Sequence, residues 1–187
     1  MAAEGGVEPP FGMLADGVAS LAAAIDRRYR ALVLVAAYTG LRAGELMGLR
    51  RTHIDLLHRT ITVVEQVQVI AGRHEVSSPK TAAGRRSVAM PRLVADALED
   101  HLRSYAEPRA DGLVFTAPEG GYLRLENFRR RAWAPATIAA GVAPLRVHDL
   151  RHTCASLAIA AGADVKVLQR MLGHASAALR LDRYGPT

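Results

Sequence analysis

A single cysteine, Cys154, occurs in the whole chain, so no intrachain disulfide can form. That usage is compatible with a reducing cytoplasm. Cys154 stands in the small, apolar run "TCASLAIAAG", where burial as a compact hydrophobe is the ordinary expectation. Lysine is nearly missing as well: of 24 basic side chains only Lys80 and Lys166 are not arginine. The longest apolar run, "ALVLVAAY", falls far below the roughly 20 residues that span a bilayer. The start, "MAAEGGVEPPFGMLADG", has neither the basic nor the apolar region of a secretory signal. Together these absences predict a cytoplasmic chain without a membrane segment.

What is there fits one domain of ordinary size: 187 residues, half of them apolar and 22% charged, well away from the disordered regime. The formal charge is +6. An excess of that size suits a polyanionic partner only where the basic side chains form a located patch.

Residues 1–13, rich in Gly, Pro and Glu, read as a flexible leader, and 14–187 as one domain. From Asp16 to Tyr38 the helical spacing predicts two helices meeting near "IDRRYR", the second apolar enough to be buried and stopped by Gly40 in the left-handed conformation. "LRAGELMGLR" predicts a short helix starting at or near Arg42, with Glu45 one turn on. After Asp55, "TITVVEQVQVI" and "RSVAM" read as strands of a small antiparallel sheet with Gly-containing hairpin turns. A helix from Pro91 to about Tyr105, a short "LVF" strand and the "NFRRRAW" segment follow. Helices are then expected over His148–Ala161, ended by Gly162, over Val165–Leu172, ended by Gly173, and around Ser176–Tyr184. The predicted class is α+β, mainly α-helical.

The stretch "PLRVHDLRHTCAS" crowds His148, Arg151 and His152 at helical spacing. His148 and His152 lie at i, i+4, as zinc ligands do in H-E-x-x-H. Asp149 in place of Glu, the guanidinium of Arg151 between them and the want of a spaced third ligand argue for a site without metal. Arginine instead offers a planar fork that matches two phosphate oxygens, and two forks can neutralise charge building on a phosphorane-like transition state. Arg42 and Arg151 are candidates for that pair. Lys80, in "SSPKTAAGRRSV", is a candidate general acid, because an ammonium among cations has its pKa lowered while a guanidinium is too weak an acid. A phenol such as Tyr184 becomes a usable nucleophile where cations favour its phenolate. His174 follows Gly173 at a helix stop.

In order, "TGLRAGELMGLR", Lys80, "HDLRHTCAS", "LGH" and "LDRYG" resemble the catalytic domain of the tyrosine recombinases, the phage-integrase family, over roughly Leu14 to Gly185. The resemblance implies that Arg42 is the first catalytic arginine and Glu45 its supporting acid. It implies that Lys80 protonates the leaving oxygen, that His148 and Arg151 form the H-x-x-R pair at the scissile phosphate, that His174 is the last imidazole of the pattern, and that Tyr184 is the nucleophile. The implied partner is double-stranded DNA, cleaved through a 3′-phosphotyrosyl bond that retains the bond energy, so that neither metal nor nucleotide cofactor is required. Arg85 and Arg86, with Arg129, Arg130 and Arg131, are expected to track the DNA backbone.

Members of that family usually carry a separate helical domain before the catalytic one and a segment after the nucleophile, and they assemble as tetramers on DNA. Neither flank is legible here, which makes homo-oligomer assembly doubtful. An inactive DNA-binding remnant with a regulatory role is the alternative to an enzyme.

Overall fold

The computed structural model describes residues 15–78 and 85–173. The first helices are α1 (Ala15–Ala24) and α2 (Arg27–Thr39). The break between them falls at Asp26, whose side chain accepts from the Arg28 amide at 2.8 Å and so caps α2. α2 is the axle of the domain. Leu32, Val33, Leu34 and Val35 are all buried, and the helix packs against α1 on one side and against two later helices, α4 (Arg92–Ser104) and α7 (Asp149–Ala160), on the others.

Gly40 ends α2 with φ +64, as its sequence context predicts. A Cβ there would lie 2.5 Å from Leu172 Cδ2, so glycine serves both the left-handed turn and the close approach of the last described helix. The short α3 (Ala43–Met47) follows, with Arg42 at its N-cap.

The strands divide into two sheets rather than the one sheet expected. β1 (Ile54–Asp55), β2 (Thr60–Val63) and β5 (Arg86–Ala89) form an antiparallel trio in the order β1-β2-β5. β3 (Gln66–Ile70) and β4 (Arg73–Ser77) form a separate hairpin around Ala71 and Gly72, both at positive φ. "TITVVEQVQVI" is thus split at Val64–Glu65, and Glu65 turns its carboxylate to Arg50 Nε at 2.6 Å. Among the described residues β4 and β5 do not pair, and Lys80, which falls between them in sequence, is outside the described residues.

The "LVF" segment is no strand of either sheet. Leu113 makes a single bridge to Arg50, and the Val114 amide donates to the Leu49 carbonyl at 2.9 Å. "NFRRRAW" is helical throughout: α5 (Leu125–Phe128) runs through one π-helical turn, Arg129–Trp133, into α6 (Ala134–Ala139). Phe128 meets Tyr29 edge-on at 5.0 Å, and the indole of Trp133 donates to the Leu145 carbonyl at 2.6 Å, which anchors this segment on the core.

α7 and α8 (Val165–Leu172) match their predicted spans within a residue, and Gly162 and Gly173 take positive φ after them. The helix expected around Ser176–Tyr184 is outside the described residues. Among the described residues no helix is long and apolar enough to cross a membrane.

Candidate active site

Three arginines far apart in the chain meet at the C-terminal end of α8. The last carbonyls of a helix have no partner within it and carry the negative end of its dipole. Here Arg86 Nε donates to the Met171 carbonyl at 2.7 Å, Arg151 Nη2 to that of Leu172, and Arg42 Nη2 to that of Gly173 at 3.5 Å. Arg151 Nη1 also donates to the Gly40 carbonyl, at 2.5 Å. The loop after α2, the start of α3, the start of β5 and the first turn of α7 are thereby gathered at one point.

Glu45 neutralises part of this charge and is saturated by it. Its two carboxylate oxygens accept from Arg86 Nη1 and Nη2, both at 2.9 Å, from the Arg42 amide at 2.7 Å and from Arg42 Nη1 at 3.2 Å. The amide bond is local capping of α3, made possible by the three-residue step from Arg42 to Glu45. Gly44 lies between them because a Cβ would meet the Val67 carbonyl oxygen at 2.7 Å, where β3 crosses the helix. Glu45 is 3% exposed. Burial alone would raise its pKa, but the hydrogen bonds and charge of Arg86, then those of Arg42, hold it below the usual carboxylate range.

Arg151 is 6% exposed. Burial, reinforced by the neighbouring cations Arg42 and Arg86, lowers its pKa to about 10, which leaves it charged at neutral pH. Beside it Cys154 is buried, as expected, and its thiol is pushed up to about 12, so it is inert.

His148 occupies the N-cap of α7 and is exposed. Its ring stands edge-on to His152 at 5.4 Å. Partial burial first, then His152 and Arg151, lower its pKa, so the imidazole is neutral near pH 7 and able to accept a proton. Asp149 reaches back to Arg146, accepting from its amide at 2.8 Å and its Nη2 at 2.9 Å, which fixes the approach of the chain to His148.

Of the residues singled out from sequence, Arg42, Glu45 and Arg151 come together and His148 stands on the same helix turn as Arg151. Lys80, His174 and Tyr184 are outside the described residues, although His174 directly follows Gly173. Arg85, Arg129, Arg130 and Arg131 are exposed. Arg86 is not: its side chain is 6% exposed, and it grips Glu45 and α8 instead of projecting into solvent. The reason is strand alternation: Arg86 opens β5 on the same face as the buried Val88, opposite the exposed Ser87 and Ala89. Its inward role had only a faint signal, the second arginine of a pair at a strand start. The role of Asp149 had a clearer one, the three-residue step back to Arg146.

The model of the phage integrase family matches residues 13–184. The prophage phiRv2 integrase of Mycobacterium tuberculosis is 37% identical over 171 residues, which cover 90% of this chain and 45% of that protein. The chain thus spans less than half the length of that relative. Among solved structures, the Tn1549 transposon integrase in complex with circular intermediate DNA superposes with a TM-score of 0.80 at 24% identity, over 97% of this chain and 64% of that one. The XerA recombinase superposes with a TM-score of 0.75 at 26% identity, over 100% of this chain and 63% of that one. The chain belongs to the phage integrase family, whose members include the tyrosine recombinases.

Proposed function

We propose that this chain is the catalytic domain of a site-specific DNA recombinase, breaking and rejoining double-stranded DNA without a metal ion or nucleotide cofactor. The observation that carries the reading is the meeting of Arg42 and Arg151 at the end of α8, immediately before His174. Two guanidinium groups fixed beside each other suit the charge of a dianionic phosphorane.

In the step proposed, the Tyr184 oxygen attacks the scissile phosphorus and the bond from phosphorus to the 5′-oxygen breaks. The phenolic proton passes to the neutral imidazole of His148, and the departing 5′-oxygen takes a proton from Lys80. The product is a 3′-phosphotyrosyl link and a free 5′-hydroxyl, and attack by a 5′-hydroxyl reverses the step. Arg42, Arg151 and His174 stabilise the non-bridging oxygens, with Glu45 supporting Arg42. Arg85 and Arg129–Arg131 contact the backbone outside the reacting centre, and a homo-oligomer on DNA brings two strands into exchange.

The test is incubation with a nicked suicide duplex in the presence of a chelator, followed by a denaturing gel, beside Tyr184→Phe. The expected result is a DNA-shifted band that needs Tyr184. A correctly folded protein that binds the duplex yet gives no such band would instead be a DNA-binding remnant.

A further inference from the structure

Arg86 stands outside the reacting groups just assigned, yet all three nitrogens of its guanidinium are engaged. Its Nη1 and Nη2 hold the two oxygens of Glu45 in parallel at 2.9 Å, and its Nε bonds the Met171 carbonyl at 2.7 Å. A bidentate fork fixes both the position and the plane of a carboxylate, which a single ammonium does not. That plane decides where Glu45 meets Arg42 Nη1, because Oε1 is shared between the two arginines. The Arg42 side chain is 38% exposed whereas Arg86 is 6% exposed, so the partner open to a ligand is aimed by one that is not.

We propose that Arg86 is a positioning residue for DNA cleavage: through Glu45 it aims Arg42, and through the Met171 carbonyl it sets the end of α8 from which His174 follows. The inference rests on the function proposed above. It gives β5 a place in the site, since the strand that begins with Arg86 follows the segment bearing Lys80 and is tied by this side chain to both α3 and α8.

The charged groups facing Glu45 are Arg42 from its own helix cap, Arg86 from β5 and, more distantly, Arg151 from α7. β3, packed on α3, carries no titratable side chain over Gln66–Ile70, and α8 presents carbonyls to the three guanidinium groups. Removing Arg86 leaves Glu45 buried with its principal counter-charge gone, so the carboxyl takes up a proton at a higher pH than before and its grip on Arg42 slackens.

The experiment is single-turnover cleavage of the nicked suicide duplex at saturating DNA, followed from pH 5.5 to 8.5, for the full chain, Arg86→Met, Arg86→Lys and the double variant Arg86→Met with Glu45→Gln. Duplex affinity and its salt slope are measured in parallel. Misaiming a reacting group by an ångström is a matter of about 100-fold. Arg86→Met should therefore cleave about 100-fold more slowly at pH 7, with salt slope unchanged and an acid limb displaced to higher pH than the one His148 gives the parent. Arg86→Lys, charged but without the fork, should recover only part of the rate and return the acid limb towards the parent's. The double variant, which has no unpaired buried carboxylate, should unfold at higher denaturant than Arg86→Met and still cleave slowly. A saturated rate like the parent's together with a shallower salt slope would overturn the inference and return Arg86 to backbone contact. Recovery of rate along with stability in the double variant would overturn it in favour of a purely structural role. Absence of any Tyr184-dependent band in the parent chain overturns the proposed function itself and this inference with it.

Discussion

Arg151 Nη1 donates to the Gly40 carbonyl at 2.5 Å, and Nη2 of the same guanidinium donates to the Leu172 carbonyl, so one buried cation closes the C-terminal ends of α2 and α8. Both ends carry negative dipole charge and carbonyls without helical partners, which is why a cation is stable there at 6% exposure. A group proposed to meet phosphate is thus also a keystone of the fold.

Replacement of Arg151 should show both roles separately. Arg151→Ala strands two carbonyls and is expected to destabilise the chain by about 2–5 kcal/mol. Arg151→Lys keeps the charge but lacks a fork that reaches two carbonyls at once, so it should retain the fold in urea denaturation and give no covalent DNA complex.

Glu45→Gln keeps the shape of the side chain and removes the charge that Arg86 and Arg42 share. Breaking a buried pair costs about 3–5 kcal/mol, and most of that effect belongs to the Arg86 contact, because Arg42 is partly exposed. Urea midpoints at pH 7 check this. A midpoint equal to the parent's would mean that the pair contributes nothing to stability.

Gly40→Ala places a Cβ 2.5 Å from Leu172 Cδ2 and 3.3 Å from Cys154 Sγ, at a backbone φ of +64. The left-handed backbone and the overpacking together should cost about 2–5 kcal/mol. Because the obstruction pushes on α8, cleavage should fall even at temperatures where circular dichroism reports a folded chain.

Acid should destabilise the protein in two windows. His101 is 3% exposed, its Nε2–H donates to the Val114 carbonyl at 2.8 Å and its Nδ1 has no partner among the described residues. Burial therefore depresses its pKa below the ordinary 6.5, and His148 shifts the same way. A folded pKa below the unfolded one means stability that is present above pH 6.5 and lost as pH falls through the folded value. Glu45, depressed from 4.5, follows at lower pH by the same sign. Urea midpoints should thus decline from pH 7 to pH 5 and again below pH 4.5. His101→Phe, which packs against Phe115 but leaves the Val114 carbonyl unpaired, should be less stable at pH 8 and show a shallower first decline.

The exposed arginines offer the cleanest separation of binding from folding. Replacing Arg85, Arg129, Arg130 and Arg131 together by Ala should leave the urea midpoint nearly unchanged and flatten the salt dependence of duplex affinity by up to about 3.6 in slope. An unchanged slope would remove these residues from the proposed footprint.

Much of this protein was legible along the chain because the signals are local. Asp26 and Asp164 cap their helices with side-chain bonds spanning two residues, and Gly40, Gly162 and Gly173 mark helix ends through a conformation that glycine adopts without strain. The apolar character of α2 determined that it would be the core, and the step from Arg42 to Glu45 determined their pairing. What only the tertiary structure decided depends on pairings between distant segments. The split of one β-rich stretch into two sheets turns on which strand β5 chooses, and β5 pairs with β2 rather than β4. The inward turn of Arg86, the meeting of three guanidinium groups at the successive carbonyls of Met171, Leu172 and Gly173 and the bridge from Arg151 to Gly40 join residues 21 to 131 positions apart. Their physical cause is the unmet hydrogen-bonding capacity of a helix end, which exists only once the helix has formed and been brought against its neighbours.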